Sequence, residues 1–218
     1  AETIRQYLNE QLTAERLPAL ERSLNQALAA QVPKRLWRQA QDVAIDLHDR
    51  PYYGKTSQEE GLWVRSQAKD GTTRFYRMAT AYVIQHGLRA TLALHFFLPT
   101  DSVVGALEML LERVEELGIG ISRLFLDKGF AGIDAQTCLQ QSGTPALIAC
   151  PIRGRTGGTR ALCQGHKSYR TTHTFRNTAD RKQFTADVAI CRVFSTAQRT
   201  GRMKRRAGWM LFILIHLD

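Results

Sequence analysis

The sequence predicts an α/β protein built on a mixed sheet and followed by a β-rich basic segment. Three observations predict it. Short apolar runs at Val43–Leu47, Ile121–Leu126 and Pro145–Cys150 have the length of buried strands. Between the first two stands a stretch of unmistakable helical period: Val103, Val104, Leu107, Leu110, Leu111, Val114 and Leu117. The last third of the chain collects the positive charge and shows no helix-length period.

Residues 1–41 form a helical lead-in. Ile4, Tyr7 and Leu8 lie at helical spacing, as do Leu17, Leu20, Leu24 and Leu28. Thr13 is placed to cap the second stretch and Pro33 to stop it, and the leucine stripe is expected to face the core. Residues 42–150 form the α/β core. Its first strand, Val43–Leu47, leads into a loop with Pro51, Tyr52, Tyr53 and Gly54. Thr73–Ile84 and Leu88–Phe97 are rich in aromatic and β-branched residues and join through Gln85-His86-Gly87 as an antiparallel hairpin. Asp101 or Ser102 caps the following helix, and Gly118 ends it. A strand at Ile121–Leu126 stops at Asp127. A short helix over 133–141 and a strand over Pro145–Cys150 complete the core. Three strands, then helix, strand, helix, strand, is the ribonuclease H-like order. Residues 151–218 read as a β-rich basic insertion. Its strands are Ser168–Phe175, Gln183–Val193 and Trp209–Leu217, with basic turns at 153–155, 176–182 and 199–206.

The chain has 218 residues, of which 44% are apolar, so it can bury a core as one domain or two small ones. Its four cysteines are too few and too scattered for a secreted disulfide scaffold. The start shows no signal-peptide pattern, and the longest apolar run, Trp209–Leu217, is far short of the ~20 residues of a membrane helix. These features predict a soluble, cytoplasmic protein. The formal net charge is +10, but it is unevenly spread. Residues 1–150 hold sixteen Lys and Arg against seventeen Asp and Glu; residues 151–218 hold fourteen against three. Such asymmetry points to a polyanionic partner. The chain begins at Ala1 and ends within an apolar, strand-like run, which reads as a fragment at both ends.

Two acids carry the candidate chemistry. Asp46 interrupts the first apolar strand, where a bare carboxylate needs a partner. Asp127 ends a second buried strand in Leu124-Phe125-Leu126-Asp127-Lys128-Gly129-Phe130. Groups at strand ends of an open α/β sheet gather at one edge, and the first and fourth strands of the ribonuclease H-like arrangement are neighbours. Two convergent carboxylates repel unless a cation intervenes, and hard divalent ions prefer carboxylate oxygens. Two such ions can stabilise both oxygens of an in-line phosphoryl displacement. Taken alone, each acid has an ordinary reading as a turn cap or an ion-pair partner. Asp49 rivals Asp46, although it also reads as a loop acid paired with Arg50 or Lys55.

The segments Ala44-Ile45-Asp46-Leu47-His48-Asp49-Arg50-Pro51-Tyr52-Tyr53-Gly54, Gly71–Thr80, Leu126-Asp127-Lys128-Gly129-Phe130 and Pro151-Ile152-Arg153-Gly154 with Gly157-Gly158 occur in that order. Together they resemble a DDE transposase of prokaryotic insertion sequences, of the cut-and-paste group with a β-rich insertion. The likeness runs over about residues 10–217. It implies a ribonuclease H-like core holding Mg²⁺, with Mn²⁺ as a substitute. It also implies double-stranded transposon-end and target DNA as partners, and a homodimer on paired ends. Asp46 matches the first acid and Asp127 the second. The family's third acid is a Glu in a helix after the insertion, and this sequence has no Glu after Glu116. Asp134 follows the second acid too closely, Asp180 and Asp187 lie within the basic segment, and Asp218 is the last residue.

The basic residues divide into two clusters suited to DNA phosphates: Arg153, Arg155 and Arg160, then Arg202, Lys204, Arg205 and Arg206, with Lys128 beside the second acid. Tyr169, Phe175 and Trp209 are interleaved and serve either core packing or base stacking. Cys163, His166, His173 and Cys191 match no structural zinc spacing. Gly154–Gly158 lacks the Gly-Lys-Ser/Thr ending and following helix of a phosphate loop, and reads as a flexible turn beside DNA.

Overall fold

Pro18 lies in the first turn of helix α1, Leu17–Ala30, where a missing N–H costs nothing. The computed structural model describes residues 13–54, 61–85, 87–199 and 202–217, with side chains described except at 89 and 196–206. The expected positions Ile4, Tyr7 and Leu8 fall outside it. Thr13 serves α1 through its backbone rather than its hydroxyl, accepting from the N–H groups of Arg16 and Leu17 at 3.1 and 3.0 Å. After Ala30 the chain turns, and Pro33 opens a 3-10 turn at Lys34–Arg38. The chain divides into two units, Ala1–Ser122 and Arg123–Asp218.

The expected core stripe of α1 is only partly realised. Leu24 is 45% exposed, whereas the buried residue of the helix is Glu21. Its carboxylate accepts from Arg113 Nη2 at 2.7 Å and from the backbone N–H of Phe96 at 2.7 Å, and it lies 3.2 Å from His95 Nδ1. His95 is itself buried, with Nε2 3.3 Å from Asp101 but out of line for a hydrogen bond. Three ionisable side chains therefore tie α1 to the elements that carry His95 and Arg113. Burial alone would raise the Glu21 pKa, but His95, the Phe96 N–H and Arg113 outweigh it and hold the carboxyl below 4.5. Burial likewise opposes the charge on His95, and Glu21 and Asp101 reverse that, raising it above 6.5.

The first unit is organised around one long strand. Strands β1 (Gln41–Pro51), β2 (Val64–Lys69), β3 (Thr72–Gln85) and β4 (Leu88–Phe96) precede helix α2 (Val103–Glu116). β3 pairs antiparallel with β1 from Phe75 to Val83. It pairs with β2 at Thr72–Phe75 and with β4 at Met78–Gln85. β2 was not expected from the apolar pattern, because Val-Arg-Ser-Gln-Ala-Lys is polar and mostly exposed. Asp70 and Gly71 join it to β3 with φ of 52° and 80°, the two positive values of a type I′ hairpin turn. α2 begins as predicted at Ser102, whose hydroxyl accepts from the Gly105 N–H at 2.9 Å. It buries Ala106, Leu107, Leu110 and Val114, and Gly118 follows its end at φ 70°.

The second unit is a βαβ element extended by three antiparallel strands. β5 (Ile121–Leu126) and β6 (Ala146–Cys150) are parallel and connected through α3 (Ile133–Ser142). β7 (Tyr169–Arg176), β8 (Gln183–Arg199) and β9 (Arg202–Ile215) follow. The spatial order is β5-β6-β9-β8-β7, with β9 antiparallel to β6 from Ala146↔Ile215 to Cys150↔Leu211. The basic segment thus shares a sheet with the strand that precedes it. Val188, Ile190, Leu211, Ile213 and Ile215 are buried, continuing the apolar layer of Leu124, Leu126 and Ile148. The stretch 199–206, expected as a turn, is strand at 199 and 202–206, where Arg199 pairs with Arg202. Among the described residues no helix is long and apolar enough to cross a membrane.

The buried ion cluster gives stability two pH limbs. The Glu21 contribution is present above pH 4.5 and lost as pH falls through its lowered folded value. The His95 contribution is complete below pH 6.5 and lost as pH rises through its raised folded value. Urea midpoints measured across pH should therefore be highest between those limits, and His95→Asn should flatten the alkaline limb. Glu21→Ala, which strands Arg113 and His95 without their carboxylate, should cost about 3–5 kcal/mol by urea denaturation at pH 6.

Candidate catalytic carboxylates and basic surfaces

Antiparallel pairing places Asp49 directly opposite Arg77 and Asp46 opposite Thr80. Successive side chains of a strand point to opposite faces, so Val43, Ile45, Leu47 and Asp49 share one face and Ala44, Asp46, His48 and Arg50 the other. Asp49 is not a loop acid, and Lys55, one of its expected partners, lies outside the described residues. Asp49 lies on β1 and receives both arms of the Arg77 guanidinium, at 2.7 and 2.8 Å. Arg77 also donates to Ser66 Oγ at 3.2 Å, fixing β2 to the same cluster. Nothing in the sequence near Asp49 announced Arg77, which stands 28 positions away.

Asp46 differs from its rival. Its side chain is 41% exposed, so the burial expected from its apolar neighbours is not realised: β1 leaves the core at this position. His48 Nε2 stands 3.8 Å from it and 3.1 Å from Thr80 Oγ1. Among the described residues no Lys or Arg lies within ion-pair distance of Asp46. Of the two rival acids, Asp46 is therefore the one that no arginine holds.

Asp127 follows the last residue of β5 in extended conformation, with φ −76° and ψ 179°. Its Oδ1 accepts from the Gly129 N–H at 2.8 Å, which starts the 3-10 turn Lys128–Phe130. Phe130 is fully buried and anchors that turn, while Lys128 is exposed. The carboxylate is thus held by its own backbone at a strand end.

The later acids have other uses. Asp134 and Asp180 share Lys182, at 2.6 and 3.8 Å, and Asp187 binds Arg170 at 2.7 Å. Among the described residues no group of three or more His, Cys, Asp and Glu side chains gathers as a metal site. Burial pushes the Cys150 thiol up to about 11, Arg153 opposing it, so the thiol is protonated at neutral pH.

The predicted flexible turn after β6 is a fastened loop. The Arg153 N–H donates to Thr159 Oγ1 at 2.7 Å, and that hydroxyl donates to the Pro151 carbonyl at 2.8 Å. Arg160 Nε donates to the Gly154 carbonyl at 2.6 Å, so this member of the first basic cluster also holds the loop. Arg153 and Arg155 are exposed. Arg202, Lys204, Arg205 and Arg206 occupy β9, with side chains outside the described ones. Of the aromatics, Trp209 lies under the Arg192 guanidinium at 4.5 Å, Phe175 packs edge-on to His173, and the Tyr169 hydroxyl donates to the Leu162 carbonyl.

No protein family's sequence profile matches the chain, and no curated protein matches it in sequence. Its fold does have relatives among solved structures. The chain is similar over 98% of its length, at 11% identity and a TM-score of 0.50, to the piggyBac transposase in its synaptic complex with hairpin DNA. It spans 40% of that transposase chain. This likeness, with the order of strands and helices above, places the chain in the ribonuclease H-like α/β class. Looser overlaps, too loose to define a fold, occur with endonuclease V. For the Ciona intestinalis enzyme bound to a 23mer DNA containing an inosine, the TM-score is 0.33 at 12% identity, over 90% of this chain and 81% of that one. For the human catalytic domain it is 0.34 at 10% identity, over 92% and 82%.

The two β1 acids should separate in a denaturation experiment. Asp49→Ala removes the bidentate pair with Arg77 and should lower stability by about 1–2 kcal/mol in urea. Asp46→Ala, at an exposed position without a cation, should change it by less than about 0.5 kcal/mol.

Proposed function

We propose that the chain is the catalytic-core part of a metal-dependent DNA strand-cleaving and strand-transferring enzyme of the transposase type, with Asp46 and Asp127 as two of its metal-binding carboxylates. The observation that carries this reading is the contrast on β1. Asp49 is committed to Arg77, whereas Asp46 is exposed and lacks a Lys or Arg partner among the described residues. Asp127 adds a second strand-end carboxylate, oriented by its own turn. An all-oxygen donor set of this kind suits Mg²⁺ or Mn²⁺ and not zinc. A bound divalent ion would supply Lewis acidity to the phosphoryl oxygens.

The protein's own residues have definable parts. Asp46 and Asp127 would bind and orient. His48, on the same face as Asp46, would hydrogen-bond a phosphate or water approaching that carboxylate. Lys128, exposed one residue after Asp127, would place a positive charge beside a phosphate at that carboxylate. The exposed Arg153 and Arg155 and the cations of β9 would hold the duplex backbone. Transposon-end duplex is the expected substrate from the sequence resemblance.

A second reading has its own support. No Glu follows Glu116, and Asp134, Asp180 and Asp187 are ion-paired. A chain with only two of three acids would bind DNA and metal without completing strand cleavage.

Mn²⁺ binding followed by electron paramagnetic resonance tests the assignment. Asp46→Ala and Asp127→Ala should each weaken Mn²⁺ binding by about tenfold or more, while Asp49→Ala should not. Binding unchanged in both of the first two variants would overturn it. Nicking of a labelled duplex with Mg²⁺ then separates the two readings, since the incomplete site predicts binding without nicking.

A further inference from the structure

The sheet of the second unit is far shorter than its two longest strands. β7 pairs with β8 only up to Ile190, and β6 pairs with β9 only from Leu211 onward. Beyond those limits β8 and β9 continue to pair with each other for nine more positions, from Cys191↔Met210 to Arg199↔Arg202. Among the described residues no other strand is paired to this stretch. At ~3.3 Å per residue it is a two-stranded ribbon about 30 Å long. At its base the Arg192 backbone N–H donates to Ser168 Oγ at 2.9 Å and the Arg192 guanidinium lies over Trp209, so the ribbon leaves the sheet from a fixed root.

The composition of this ribbon is one-sided. Residues 191–210 contain Arg192, Arg199, Arg202, Lys204, Arg205 and Arg206, and no Asp or Glu. Phe194 and Met210 are 55% and 49% exposed. A two-stranded hairpin gains little stability by itself in water. Such a ribbon is more twisted than strands within a wide sheet. The DNA major groove, about 12 Å wide, admits a two-stranded β-ribbon. Another protein adding a strand to the ribbon is disfavoured, because Lys and Arg along an edge oppose such pairing.

We propose that the ribbon 191–210 is a DNA-docking arm that lies in the major groove of duplex DNA, its cations on the flanking phosphates. This rests on the reading that the chain binds DNA, but it concerns a different surface from the carboxylates. The ribbon also explains why the densest basic cluster sits on strand β9 rather than in a loop: pairing across to β8 holds it extended along a duplex.

The test uses the whole chain with a 30-base-pair mixed-sequence DNA duplex and a 30-base-pair RNA duplex. Two fourfold glutamine variants are compared, each checked by circular dichroism and gel filtration. One replaces Arg202, Lys204, Arg205 and Arg206; the other replaces the exposed Arg22, Lys34, Arg35 and Arg38. The ribbon variant should lose at least about a hundredfold in DNA affinity, and the slope of log K against log salt should become shallower by about 3–4, the value for four phosphates. The control variant should change both far less. Dimethyl sulfate should find guanine N7, a major-groove atom, protected by the wild type. RNA, whose major groove is deep and narrow, should bind more weakly. If the wild type binds DNA and the ribbon variant binds equally well, the arm is refuted while DNA binding stands. Loss of binding without N7 protection, or equal affinity for RNA, refutes groove docking. If the wild type binds neither duplex, both readings fall.

Discussion

The register between β1 and β3 governs the candidate site. It sets Asp49 opposite Arg77 and Asp46 opposite Thr80. The buried face then carries Val43, Ile45, Ala79, Ala81 and Val83, all between 0 and 2% exposed. A slip of one residue would turn every β1 side chain to the other face, driving Asp46 toward the apolar layer and exposing Ile45. The cost of burying a bare carboxylate makes that slip prohibitive. The bidentate Asp49–Arg77 pair locks the same register with charge-assisted hydrogen bonds. One acid is thus spent on holding the strands, and the register leaves the other partly exposed.

The Glu21 cluster serves a related purpose on a larger scale. α1 has a broken apolar stripe, and hydrophobic burial alone holds it weakly. Its attachment comes from a carboxylate that satisfies a backbone N–H, a guanidinium and an imidazole together. Such a cluster is costly to assemble and costlier to break, because each partner is desolvated. It fixes α1 in one position, since an ionic network satisfies its partners in few geometries.

Much of the fold was legible because its signals are local. The α2 period, the Ser102 cap, Gly118 and the short apolar strands at 121–126 and 146–150 all depend on neighbours within a turn or two. β2 was missed because an exposed polar edge strand has no apolar run, although Asp70-Gly71 carried the turn signal. Burial of Glu21 was illegible, since it depends on His95 and Arg113 more than seventy positions away. The same holds for Asp49. Its sequence neighbours gave no hint of Arg77, which only strand pairing supplies. Asp46 and Asp127 were legible as acids within or at the end of apolar runs, but which of Asp46 and Asp49 an arginine holds required the register. The extent of β8 and β9 was underestimated because cations and glycine at 199–206 read as a turn, where cross-strand pairing makes most of them strand.

We propose Asp46 and Asp127 as divalent-metal-binding carboxylates. Iron-directed backbone cleavage tests it most directly: Fe²⁺ substitutes for Mg²⁺, and ascorbate with peroxide then cuts the polypeptide beside the bound ion. Two cuts are predicted, one beside Asp46 and one beside Asp127, both suppressed by excess Mg²⁺. Cleavage at other positions alone, or at one of these acids and never the other, would contradict the account.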